Sequence, residues 1–263
     1  MTAAIKSEFR KFFTTRLWWG MAIGVFLAGA AFAALFASLD PTPEMTGGVT
    51  VPNLSDPSRV ASVYTGGLSV SYLLTLAIGV MTIGSEYRHK TITSTFLATP
   101  IRSKVMGAKV VSLAGIGAFY GLVSLVGAVS VGATIIAIRG FSPFPDSSIW
   151  RTLALSLLVL AVWALIGLGA GILIPNQVAA LLISIGLAWI VEPLVGFLIG
   201  AQSWGKGAAP YFPSNATAAA LGGNSAAGSF TPLSWWAAAL VLVGYAAIMT
   251  LVGSFLTVRR DVS

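Results

Sequence analysis

The chain has 263 residues, of which 56% are hydrophobic and only 9% charged, against roughly 25% charged in an ordinary soluble domain. Several charge-free runs exceed the ~20 residues that cross a bilayer, which excludes a soluble globular protein and predicts an all-α, polytopic membrane protein. The net charge of +7 then reads as a cytoplasmic retention signal rather than a nucleic-acid footprint, and the absence of cysteine excludes disulfides and thiolate metal sites.

Residues 1–16 predict a basic amphipathic helix in the interfacial plane. Ile5, Phe9, Phe12 and Phe13 fall on one face at helical spacing, and Lys6, Arg10 and Lys11 lie towards the other. The first span is 17–39. It follows a basic leader, as a signal peptide would, but the apolar run is longer than the ~7–15 residues of a signal core and is read as uncleaved. Trp18 and Trp19 mark its entry interface. The segment 40–59 is rich in proline and acid and predicts a loop. The second span is 60–83 and the third 110–138.

Between those two spans lies 84–109, the one long charged segment with the composition of a cytoplasmic loop. It carries Arg88, Lys90, Arg102, Lys104 and Lys109, a single acid, Glu86, and the only histidine, His89. Further on, 152–191 contains no charge at all and is too long for one helix. Pro175-Asn176-Gln177 breaks it, predicting a hairpin of span four, 150–174, and span five, 178–201. The segment 202–233 is rich in Gly, Ala, Ser and Pro, extracellular or re-entrant, with a candidate short helix at Ala216–Leu221. Span six is 234–258, closed by Arg259 and Arg260. With both termini inside, eleven Lys and Arg residues lie on the inner side against four outside, the asymmetry that orients membrane proteins. The expected location is the cell membrane.

Catalytic signals are absent. The stretch Gly200 to Gly207 approaches a phosphate-binding loop, but Gly207 stands where a Ser or Thr must hold magnesium and no strand precedes it. One histidine is too few for a zinc site or a histidine-based triad. Glu192 is the one carboxylate within a predicted span, and an intramembrane acid is a functional candidate by default. It is open between binding a cation or amine, anchoring a neighbouring helix by a hydrogen bond, and lying near the outer surface if Pro193 ends the span. Gly-x-x-x-Gly pairs at Gly20/Gly24, Gly117/Gly121, Gly167/Gly171 and Gly196/Gly200 permit close helix crossing.

In the central loop, Gly84-Ser-Glu86-Tyr-Arg88-His-Lys90-Thr91-Ile92, then Thr99-Pro100-Ile101-Arg102 and Gly107-Ala108-Lys109 resemble the first cytoplasmic loop of ABC-2 type permeases, the membrane subunits of ATP-binding-cassette exporters. The resemblance extends to the layout of basic leader, six spans and long outer segment before span six. The sequence departs from the family at His89-Lys90, where many members carry a glycine before the threonine.

The resemblance implies a coupling helix over Thr91–Thr99 seated in a groove of a separate ATPase, with Ile92, Phe96 and Leu97 as apolar contacts and Thr95 and Arg102 beside them. This is a helix-in-groove mode. Glu86 and Arg88 are expected at the inner end of span two, placed to tie the loop to the leader helix by an ion pair. By the same resemblance two such permeases, identical or related, and two ATPases make one transporter. ATP and magnesium belong to the ATPase, and this chain carries no cofactor or metal of its own. The expected cargo is an amphiphilic compound: a drug, antibiotic, peptide or lipid. The competing readings are a secondary transporter or channel using Glu192, and a permease-like scaffold that docks an ATPase without moving cargo.

Overall fold

The computed structural model describes residues 1–39, 52–91, 95, 97, 101–222 and 230–259, with 256–259 described by backbone alone. Among them there is no strand. The helices are α1 (Thr2–Phe13), α2 (Leu17–Ser38), α3 (Pro57–Thr65), α4 (Leu68–Arg88), α5 (Arg102–Ile138), α6 (Ser148–Leu173), α7 (Gln177–Gly186), α8 (Glu192–Ala201), α9 (Pro213–Ala220) and α10 (Trp235–Arg259). Six helical segments are long and apolar enough to cross a membrane: Leu17–Ser38, Pro57–Arg88, Arg102–Ile138, Ser148–Leu173, Gln177–Ala201 and Trp235–Phe255. The protein is an all-α, multi-pass membrane protein.

Local chemistry sets the boundaries. Asp56 opens α3 by accepting the Ser58 amide at 2.8 Å, with Pro57 in the first helical position. Asn176 opens α7 by accepting the Val178 and Ala179 amides at 3.0 and 3.1 Å, so the predicted hairpin turn falls where its cap directs it. The span that follows is not a uniform α-helix. Leu187–Val191 is a π-helical turn, placed where Pro193 supplies no amide to the preceding turn.

Several boundaries move relative to the sequence reading. Helix α4 continues to Arg88 and α5 starts at Arg102, so helices take up both ends of the segment expected as loop. Backbone hydrogen bonds are satisfied within a helix whatever its surroundings, and Arg, Lys, Met and Ala extend one readily. The short helix of the outer segment is Pro213–Ala220 rather than Ala216–Leu221, because Pro213 sits at its first turn.

Helices α4 and α6 form the centre. They approach so closely that a Cβ at Gly79 would collide with the Ala164 carbonyl, and one at Gly167 with the Leu76 carbonyl. Tyr72 stacks on Trp163 at 4.5 Å in the same interface. One core joins α4, α6, α9 and α10 through Leu76, Trp163, Ala216 and Leu242. A second joins α1, α4, α5 and α6 through Phe12, Ile83, Met106 and Leu168. A third joins α2, α3 and α5 through Ala33, Val60, Tyr64 and Ile136. The carbonyls at the end of α2 are capped by arginines: Arg59 donates to Phe36 and Leu39 at 2.8 and 3.1 Å, and Arg139 to Ala37 at 2.6 Å.

Candidate functional site

Helix α1 packs its aromatic face against α5. Phe12 meets Tyr120 edge-on at 6.1 Å, Phe13 meets Phe119 at 5.9 Å, and the Tyr120 hydroxyl donates to the Trp18 carbonyl at 2.9 Å. The phenylalanines predicted to sit in the interface thus rest in large part on protein. This docking aligns α1 along the first turns of α5 and carries its polar residues to the end of α4.

There the structure assembles a buried charge cluster from three helices. Lys109 of α5, whose side chain is fully buried, donates to Glu86 Oε1 of α4 at 2.6 Å and to Glu8 Oε2 of α1 at 2.8 Å. Lys11 of α1 donates to Glu8 Oε1 at 2.8 Å and to Glu86 Oε1 at 3.0 Å. Two cations and two anions cancel, which is the condition for burying charge without a large desolvation penalty. Burial pushes the Glu8 carboxyl up, but Lys109 and then Lys11 outweigh it and hold it below the usual carboxylate range. Burial likewise disfavours the Lys11 ammonium, and hydrogen bonding and attraction to Glu8 and Glu86 outweigh it, so its pKa lies above the ordinary lysine value. Glu86 spends one oxygen on both lysines; its Oε2 is buried without a partner among the described residues.

The ion pair expected between Glu86 and the leader helix therefore forms, with Lys11 as the partner. Arg88 does not join it: its side chain is exposed at the rim of a cleft of about 580 Å³ between α1, α4 and the start of α7, alongside His89 and Gln177. Lys109, expected in the cytoplasmic loop, is instead the centre of the cluster, and Glu8, a residue the sequence motifs do not mark, is its second partner. The available signal was scarcity. Glu8 is the only acid of residues 1–39 and Glu86 the only acid between 57 and 145, each set among cations.

Beyond the cluster the chain turns sharply. His89 ends α4, and Lys90 takes a left-handed conformation with φ 54°, a backbone state that favours glycine. Thr91, Thr95 and Leu97 are helical, with the Thr95 hydroxyl donating to the Thr91 carbonyl at 3.0 Å, the separation of one helical turn. Leu97 is 78% exposed. Ile92 and Phe96 lie outside the described residues, as does most of the expected Thr91–Thr99 helix. Arg102 begins α5, half-buried and outside the cluster.

Glu192 lies at the far side of the π-helical turn. Its Oε1 accepts the Ser214 hydroxyl at 2.9 Å and the Ser214 amide at 3.2 Å, so it caps the first turn of α9 from another helix. The Trp163 indole donates to Thr217 at 3.1 Å, a second polar link holding α9 in the bundle. Of the three roles open to Glu192, these bonds are those of an anchor. Among the described residues no cluster of three or more His, Cys, Asp or Glu is placed to hold a metal ion. In comparison with known proteins, no family model and no curated protein matches the chain.

Proposed function

We propose that the chain is the membrane-spanning subunit of an ABC-2 type exporter, which converts the motion of a separate ATPase into outward movement of an amphiphilic compound. The observation that carries this reading is the Glu8–Lys11–Glu86–Lys109 cluster. It clamps α1, α4 and α5 together at the two ends of the segment that resembles a coupling loop. A force on that segment is shared by three helices at once, which is what a receiver of mechanical work requires. Lys90 adds support: the position where the resembling family carries glycine adopts a glycine-like backbone.

In this reading both termini face the cytoplasm of a cell-membrane protein, and the 91–99 segment seats on the ATPase. Two permeases and two ATPases form the transporter. The chain is then not an enzyme itself, and ATP and magnesium reside on the partner. The secondary-transporter reading has less support, since Glu192 Oε1 is engaged by the Ser214 hydroxyl and amide, the bonds of a structural anchor.

The test is gentle purification from the native membrane, with identification of any stoichiometric soluble partner and crosslinking from Thr95→Cys in a chain that has no other cysteine. A co-purifying ATPase captured at that position supports the exporter. A chain that purifies alone and never crosslinks at Thr95→Cys overturns it.

A further inference from the structure

At the end of the bundle that carries both termini, the first turns of α5 and the last turns of α10 part and leave a groove of about 880 Å³. This is the size of many small-ligand sites, roughly 300–1,000 Å³. Met1 closes one rim beside Gly107, and the walls are mostly carbon, from Val110, Val111, Leu251, Val252 and Phe255. Val111, Leu251 and Phe255 are 50%, 69% and 54% exposed, so the groove opens outward rather than into the core.

Among the described residues, the charge beside its upper end on α5 is a cation. Lys104 is exposed and shares a helix face with Gly107 and Val111, three and seven residues on. It stands about 9 Å above Val110 along the helix axis, at 1.5 Å per residue. Headgroups add roughly 5–8 Å to each side of the hydrocarbon core. Taking the apolar third span to begin at Val110, as the sequence predicts, puts a lysine of that reach at headgroup level. The first turn of α5 has no acid, and Glu8 and Glu86 are engaged by Lys11 and Lys109.

We infer that this groove is a binding site for one anionic phospholipid, its acyl chain along Val111 and Leu251 and its headgroup phosphate at Lys104. The argument is charge complementarity over an apolar slot at the matching depth, and it is independent of the transporter reading. A zwitterionic lipid carries the same phosphate but offsets it with its own ammonium group, so net headgroup charge sets the preference.

The test is native mass spectrometry of the detergent-purified full chain, with whatever partners accompany it, titrated with dioleoyl phosphatidylglycerol or dioleoyl phosphatidylcholine. The wild type is expected to retain one phosphatidylglycerol per chain, about fivefold more tightly than phosphatidylcholine, the factor for one lysine at the surface. Lys104→Gln, an exposed substitution, removes that preference. Ser254→Phe, which fills the groove, lowers retention of both lipids. Equal retention of the two lipids by the wild type, or a preference that survives Lys104→Gln, overturns the site. So does disulfide formation between Ser254→Cys chains in membranes, which assigns the groove to a second copy.

Discussion

Lys109 Nζ and Glu86 Oε1 meet at 2.6 Å although they stand on different helices, at opposite ends of the connection between α4 and α5. Removing Lys109 leaves two buried carboxylates with only the half-exposed Lys11 between them. Lys109→Met is therefore expected to destabilise the fold by about 3–5 kcal/mol, as when one partner of a buried ion pair is lost. Adding Glu86→Gln to that variant should restore part of the loss, since it removes the uncompensated charge. Thermal unfolding in detergent of the two single variants and the double variant reads the coupling, and strict additivity would mean that the pair does not interact.

Arg88 and Glu86 separate transmission from stability. Arg88 is exposed and outside the cluster, so Arg88→Glu is expected to change stability by no more than about 0.5 kcal/mol and, under the proposed exporter function, to lower the activity of the co-purifying ATPase. Glu86→Lys places a third cation in the buried cluster and is expected to lose both. Melting temperature and ATP hydrolysis by any complex that co-purifies, measured side by side, distinguish the two.

The cluster also sets a pH dependence. The Glu8 carboxyl is held below its unfolded value near ~4.3, so its contribution is present above that pH and is lost as pH falls through the lower folded value. The Lys11 ammonium is held above its ordinary value near ~10.4, so its contribution is present below that pH and is lost as pH rises through the higher folded value. Stability is expected to be flat across the neutral range and to fall at both extremes. Glu8→Gln should remove the acid limb attributable to this group, which melting curves from pH 3 to 10 would show.

The glycines differ by what surrounds them. A Cβ at Gly20 meets nothing within 4 Å, so Gly20→Ala is expected to be neutral or to stabilise by up to about 1 kcal/mol through helix propensity. Gly167→Ala drives a methyl into the Leu76 carbonyl and forces α4 from α6, with an expected loss of about 1–3 kcal/mol or more. Thermal unfolding of the pair decides this.

Lys90→Gly tests the turn after α4. The left-handed backbone costs an L-residue about 1–2 kcal/mol, and glycine gives back about 0.5–1 of that through greater freedom when unfolded. A net stabilisation of roughly 0.5–1 kcal/mol follows, seen as a small rise in melting temperature. A fall would mean that the Lys90 side chain makes a contact worth more than its backbone strain.

Much of the architecture was legible from the chain alone because the determinants are local. Each spanning helix announces itself as an apolar run of sufficient length, and Asn176 marks a helix start by side-chain chemistry acting within a few residues, whereas the helix that Pro213 opens is expected only from Ala216. Glu86 stands out in the sequence as the one acid of a cationic segment, and in the structure it meets two lysines. The site's centre was not legible in the same way. Whether Lys109 is a solvated cation or a buried hub depends on Glu8, 101 residues away in sequence, and on the aromatic docking of α1 that brings the two together. The same holds for Glu192, whose role follows from the placement of Ser214, and for the glycines, since only the crossing of α4 with α6 distinguishes Gly167 from Gly20. Local sequence determines where helices start, stop and cross the membrane, since backbone hydrogen bonding and hydropathy act over one or two turns. Tertiary packing alone decides which charges meet, because the energy of a buried charge is set by its neighbours in space.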